Sequence, residues 1–83
     1  MDKQPDSTAL YQNLADDLSE EIRFGVYTPG GRLPSIRDMA EKKGVSQTTV
    51  QRAYQILERE GTVHRVSTWG YFVNREPKTG TAL

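Results

Sequence analysis

Two helix-start signals, Ser35 and Ser46, bracket one helix-stop signal, Gly44. That spacing leaves room between them for a single short helix. Ser35 is followed three residues on by Asp38, a variant of the capping box. Met39 and Ala40 then face a core, with Ile36 beside them. Gly44 ends this helix where a positive φ is needed, and Val45 plugs the turn. Ser46 caps the next helix, which runs to about Glu60 before Gly61 terminates it. Val50, Ala53, Tyr54 and Leu57 fall at i, i+3, i+4 and i+7 and form its buried stripe. Gln47, Thr48, Gln51, Arg52 and Gln55 form a polar outer face. Two short helices joined by a three-residue turn have the layout of a helix-turn-helix.

The flanking segments fit the same domain. From Thr8 to Phe24, Leu10, Leu14, Leu18 and Ile22 recur every four residues, with Tyr11 and Ala15 beside them, which marks an amphipathic helix. Ser7 or Thr8 is its expected cap, Gly25 its stop, and Thr28-Pro29-Gly30-Gly31 a turn. Thr62–Val66 and Tyr71–Asn74 are rich in β-branched and aromatic residues and flank Ser67-Thr68-Trp69-Gly70, a hairpin signal. The expected fold is mainly α with a small β wing, a three-helix winged helix-turn-helix over residues 8–74. Residues 1–7 read as a flexible lead-in and 75–83 as a linker or tail. An 83-residue chain has room for one modest core.

Composition removes several function classes. There is no cysteine and one histidine, His64, so a zinc site lacks its usual ligands. No apolar run approaches the roughly 20 residues of a membrane helix, and Met1–Asp6 carries no signal-peptide core. A cytoplasmic protein without a membrane partner is expected. No paired-carboxylate cleft or nucleophile–base set is visible, and Gly30-Gly31 is a turn rather than a phosphate loop, so the chain does not read as an enzyme. Net charge is zero but unevenly spread: residues 1–31 carry −4 and residues 32–83 carry +4. The helix-turn-helix half is therefore cationic. The acidic cluster Asp16, Asp17, Glu20 and Glu21 reads as a solubilising face of the first helix.

In a helix-turn-helix the second helix enters the DNA major groove. Gln47, Thr48, Thr49, Gln51 and Arg52 are accordingly the expected base and phosphate contacts. Thr48 offers a hydroxyl and a methyl, suited to phosphate or to a thymine methyl. Ser46 is first a cap, with a phosphate contact additional, at a helix N-terminus that favours an anion. Arg37, near the start of the preceding helix, can reach the backbone; its alternative is a pair with Glu41, one turn on. Arg32, Lys42, Lys43 and Arg59 read as general solvated charge, with one or two of them near phosphate as the alternative, and His64 as a strand-surface residue. Trp69 has three open roles: a DNA contact, packing under another domain, or folding back onto the core. A winged helix that binds protein instead of DNA is the competing function, and it calls for an apolar or acidic helix face rather than this Gln/Thr/Arg one.

Tyr11 to Val73 resembles the N-terminal DNA-binding domain of GntR-family bacterial transcription regulators. The matching features are Pro29-Gly30, Leu33-Pro34-Ser35-x-Arg37, Gly44-Val45-Ser46-x-x-Thr49-Val50, Ala53-Tyr54-x-x-Leu57-Glu58-x-Glu60-Gly61 and Gly70-Tyr71-Phe72-Val73. Ala53-Tyr54 and the Gly-Tyr-Phe-Val ending look most like the MocR branch, with the YtrA branch as runner-up. The resemblance implies an operator-reading domain that works on double-stranded DNA, on two half-sites, as a homodimer of the full-length protein. It also implies that Arg37 contacts DNA and that Arg65 contacts the minor groove from the wing. MocR members carry an aminotransferase-like domain that binds pyridoxal phosphate. Such a domain would follow residues 75–83, and no cofactor is expected in this chain. Two departures stand out. Gln47 and Gln51 occupy positions where the family often has Arg, and Gln pairs with adenine as Arg does with guanine. The wing tip reads Val66-Ser67-Thr68-Trp69-Gly70 in place of Arg-Pro-Gly-Ser-Gly, which moves the basic residue to Arg65 and puts Thr68 among the contacts where a glycine is usual.

Overall fold

The apolar stripe of the first segment forms a helix, α1 (Ser7–Arg23), in a computed structural model that describes residues 7–75. Its described part begins at Ser7, one residue before the Thr8 at which the pattern starts. Other than Ser7 and Arg75, the expected lead-in and tail lie outside the described residues. The helix ends in a Schellman turn: Val26 N–H donates to Glu21 O at 2.8 Å and Gly25 N–H to Ile22 O at 3.1 Å. Leu14, Ala15 and Leu18 are buried, while Asp16, Asp17 and Glu20 stand exposed on the opposite side.

Helix α2 (Ile36–Lys43) and helix α3 (Gln47–Arg59) follow, then strand β1 (Val63–Val66), a 3-10 turn (Ser67–Trp69) and strand β2 (Gly70–Val73). The strands pair antiparallel, with Val63 opposite Val73, His64 opposite Phe72 and Arg65 opposite Tyr71. The segment before α2 extends this hairpin. Gly30 N–H donates to Val73 O at 2.9 Å, Val73 N–H to Gly31 O at 2.8 Å and Leu33 N–H to Tyr71 O at 2.9 Å, and Arg32 forms a bridge with Phe72. The wing is thereby joined to the chain that leads into α2.

The core is continuous across all elements. Leu14 and Leu18 of α1, Met39 and Ala40 of α2, and Val50, Ala53, Tyr54 and Leu57 of α3 pack with Leu33, Val63 and Val73. Full burial of each large apolar side chain is worth about 1.5–3 kcal/mol. Tyr54, wholly buried, also donates its hydroxyl to Pro34 O at 2.8 Å. Burial raises its pKa well above the ordinary 10.0, so the phenol stays protonated. The Tyr71 ring meets the Tyr54 ring edge-on at 4.9 Å. Lys43 and Glu21 tie α2 to α1 with an ion pair at 2.8 Å, and this bond is the main reason the Lys43 pKa is raised. Among the described residues, no helix is long and apolar enough to cross a membrane.

Candidate nucleic-acid interface

The α2–turn–α3 unit is held by local bonds that its sequence specifies. Ser35 Oγ accepts from Asp38 N–H at 3.0 Å and so caps α2. Gly44 takes a left-handed conformation (φ 71°), where a side chain would be strained, and donates to Ala40 O at 2.9 Å. Val45 is half-buried against the core. Ser46 Oγ accepts from Thr49 N–H at 3.1 Å and caps α3.

With Val50, Ala53, Tyr54 and Leu57 turned inward, α3 presents Gln47, Thr48, Gln51, Arg52 and Gln55 to solvent. Thr49 departs from the expected contact set. It is only 6% exposed, and its hydroxyl is hydrogen-bonded to Ser46 Oγ at 2.9 Å. Position 49 lies one residue before the buried Val50 and three after the cap, so it turns toward the body of the domain. Its role is to brace the first turn of α3. Arg52 is exposed but steered, with its guanidinium 5.6 Å from the centre of the Tyr11 ring on α1. Arg37 is exposed on the first turn of α2, and among the described residues it has no carboxylate within pairing distance, Glu41 included.

The wing carries the remaining candidates. Arg65 and Thr68 are exposed and line one groove with Arg32, Ser35, Ile36 and Ser67, between the start of α2 and the wing turn. Thr68 stands where the resemblance expects glycine, yet it needs no left-handed backbone. The positive φ values of the turn fall instead on Ser67 (41°) and Gly70 (117°). His64 lies on the outer face of the sheet as expected, paired with Asn74 Oδ1 and stacked on Phe72. Asn74 in turn donates to Gly61 O at 2.6 Å, which fixes the base of the wing. Trp69 is 68% exposed at the turn, so it does not fold back onto the core. Arg32 is one of the four cations that the sequence leaves as solvated charge or a phosphate neighbour. Its guanidinium crosses the backbone of Gly70, where a Cβ would lie 3.2 Å from Arg32 Nε.

The family model for bacterial regulatory proteins of the gntR family matches residues 10–73. The chain is 46% identical over 63 residues to the HTH-type transcriptional regulator YdcR of Escherichia coli, covering 76% of this chain and 14% of that protein. It is similar in structure to YtrA from Sulfolobus acidocaldarius, a GntR-family transcription factor, at 39% identity and a TM-score of 0.73, covering 90% of this chain and 74% of that one. It is also similar to the AraR DNA-binding domain solved in complex with operator ORR3, at 26% identity and a TM-score of 0.72, covering 77% of each chain.

Proposed function

The chain belongs to the gntR family of bacterial regulatory proteins, and we propose that it reads a double-stranded DNA operator in transcription regulation, with α3 in the major groove and the hairpin as the wing. One observation carries this reading. Over its first three turns, the side chains of α3 that face away from the core are the neutral hydrogen-bonding groups Gln47, Thr48, Gln51 and Gln55 and the guanidinium of Arg52, with Glu58 and Arg59 exposed only at its C-terminal end. Such a face has donors and acceptors for base edges and no apolar patch for a protein partner. The AraR domain, similar in fold, was solved on operator DNA.

Within this reading Gln47, Thr48, Gln51 and Arg52 face bases and phosphates. Ser46, Arg37, Arg65 and Thr68 serve the sugar–phosphate backbone and the adjacent minor groove. Gln47 and Gln51 favour an operator with A·T pairs beneath α3. The chain spans about a seventh of YdcR, and such length outside the shared domain supports the MocR branch with an effector domain downstream. The YtrA neighbour keeps the short-tailed branch in view. Homodimerisation on two half-sites, at a cytoplasmic site of action, belongs to the full-length protein. The described lysines, Lys42 and Lys43, stand on α2 against Tyr27 and Glu21 and do not fit pyridoxal phosphate; in this reading any site for that cofactor belongs to the downstream effector domain.

Selection from a randomised duplex pool tests the proposal, followed by anisotropy titration of the selected duplex. A preferred motif, lost on substituting Gln47, Gln51 and Arg52 together by Ala, is the expected result. A pool that yields no motif, or a triple variant with unchanged affinity, overturns it in favour of a protein-binding winged helix.

A further inference from the structure

Two arginines, Arg32 and Arg65, line one groove at the wing turn. Arg65 lies opposite Tyr71 on the side of the sheet that meets the helices. Arg32 reaches the turn from a different part of the chain. Its backbone is bridged to Phe72 across the free edge of β2, and directly opposed residues of an antiparallel pair share a face. From there its side chain reaches the turn at Gly70 and lines the groove shared with Arg65, Ser67 and Thr68. Gly70 makes this course possible, since a Cβ there would press on Arg32 Nε. Arg32 is exposed, and among the described residues no carboxylate pairs with it. An exposed guanidinium beside a narrow protruding turn is suited to a phosphate.

We infer that Arg32 is a second cationic element of the wing and contacts a DNA backbone phosphate beside Arg65, across the groove that the two arginines line. The inference rests on the DNA-reading assignment and deepens it. A wing seated beside the duplex meets a phosphate wall, and two guanidinium groups on one groove present a larger cationic surface to it than Arg65 alone. The strand pairing of residues 30–33 with β2 means that Arg32 moves with the wing and holds its register against α2. It carries no base preference of its own, because phosphate contacts position the protein without reading sequence.

The test is the salt dependence of binding by the 83-residue chain, read on the selected duplex and on a mixed-sequence duplex. Each phosphate neutralised contributes about 0.9 to the slope of log K against log salt. Arg32→Ala is expected to make the slope shallower by about 0.9 on both duplexes, and Arg32→Lys to retain it. Arg32→Gln, which keeps the length and polarity of the side chain, is expected to match Arg32→Ala; thermal melting of all three checks that the fold is intact. Unchanged slopes in the folded Ala and Gln variants overturn the inference while leaving operator reading intact. If selection yields no motif but the slope on the mixed duplex still falls, operator reading fails and the Arg32 contact stands. A chain that binds neither duplex overturns both.

Discussion

Ser46 combines a structural and an interfacial role, and one substitution series separates them. Its Oγ accepts from Thr49 N–H at 3.1 Å and bonds the Thr49 hydroxyl at 2.9 Å. Ser46→Ala removes both. Loss of an N-cap costs about 1 kcal/mol. The Thr49 hydroxyl, on a residue only 6% exposed, is left without its partner, which adds about 1 kcal/mol more. A total of about 2 kcal/mol corresponds to a fall in Tm of roughly 8–16 °C for a domain of this size. Thr49→Val keeps the capping bond and removes only the hydroxyl pair, so it is expected to cost under about 1 kcal/mol and to leave DNA affinity nearly unchanged. Ser46→Asp restores an acceptor for Thr49 N–H and most of the stability, but it sets a carboxylate where the duplex phosphates approach, so affinity falls. Urea denaturation followed by circular dichroism gives the stabilities, and anisotropy gives the affinities. A Ser46→Ala variant with an unchanged urea midpoint would refute the capping argument. A Ser46→Asp variant that binds DNA as well as the unaltered chain would show that this end of α3 does not face phosphate.

Three further outcomes follow from the same geometry. Gly44→Ala meets no atom within 4 Å, so its whole effect is the left-handed backbone at φ 71°, a loss of about 1–2 kcal/mol in urea denaturation, with Gly44→Asn losing less. Tyr54 and Tyr71 are raised chiefly by burial and Lys43 chiefly by its bond to Glu21, all above their ordinary values. The folded chain therefore holds protons that the unfolded chain releases. Stability is full below about pH 10 and declines as pH rises through the higher folded values, and Tyr54→Phe makes that alkaline decline in urea midpoint shallower. With Arg32, Arg37, Arg52 and Arg65 as the guanidinium groups on the DNA side, the salt slope of the unaltered chain is expected near −3.6, about 0.9 for each; a slope near zero in anisotropy titrations would refute this electrostatic footprint.

What the sequence revealed and what it hid divide along the range of the interactions. Caps, stops and apolar periods act over three to seven residues, so Ser35, Gly44, Ser46 and the stripe Val50–Leu57 could be placed without tertiary information. Thr49 was misplaced because a polar residue in the first turn of an exposed helix resembles a contact. Position 49 lies one turn before Ala53, on the stripe that faces the core, and the Ser46 bond makes its hydroxyl tolerable there. Arg32 was left undecided for a different reason. Its neighbours in sequence are a turn and a buried leucine, whereas its neighbours in space are Phe72 and Gly70, about forty residues away. The glycine before Tyr71 looked like hairpin punctuation. The structure adds a second requirement, because that position must also leave room for a side chain from the opposite end of the domain. Gly70 and Arg32 are thus coupled: a side chain at 70 and truncation at 32 remove the same arrangement. Their effects on the salt slope should therefore not add, which distinguishes a shared wing element from two unrelated surface positions.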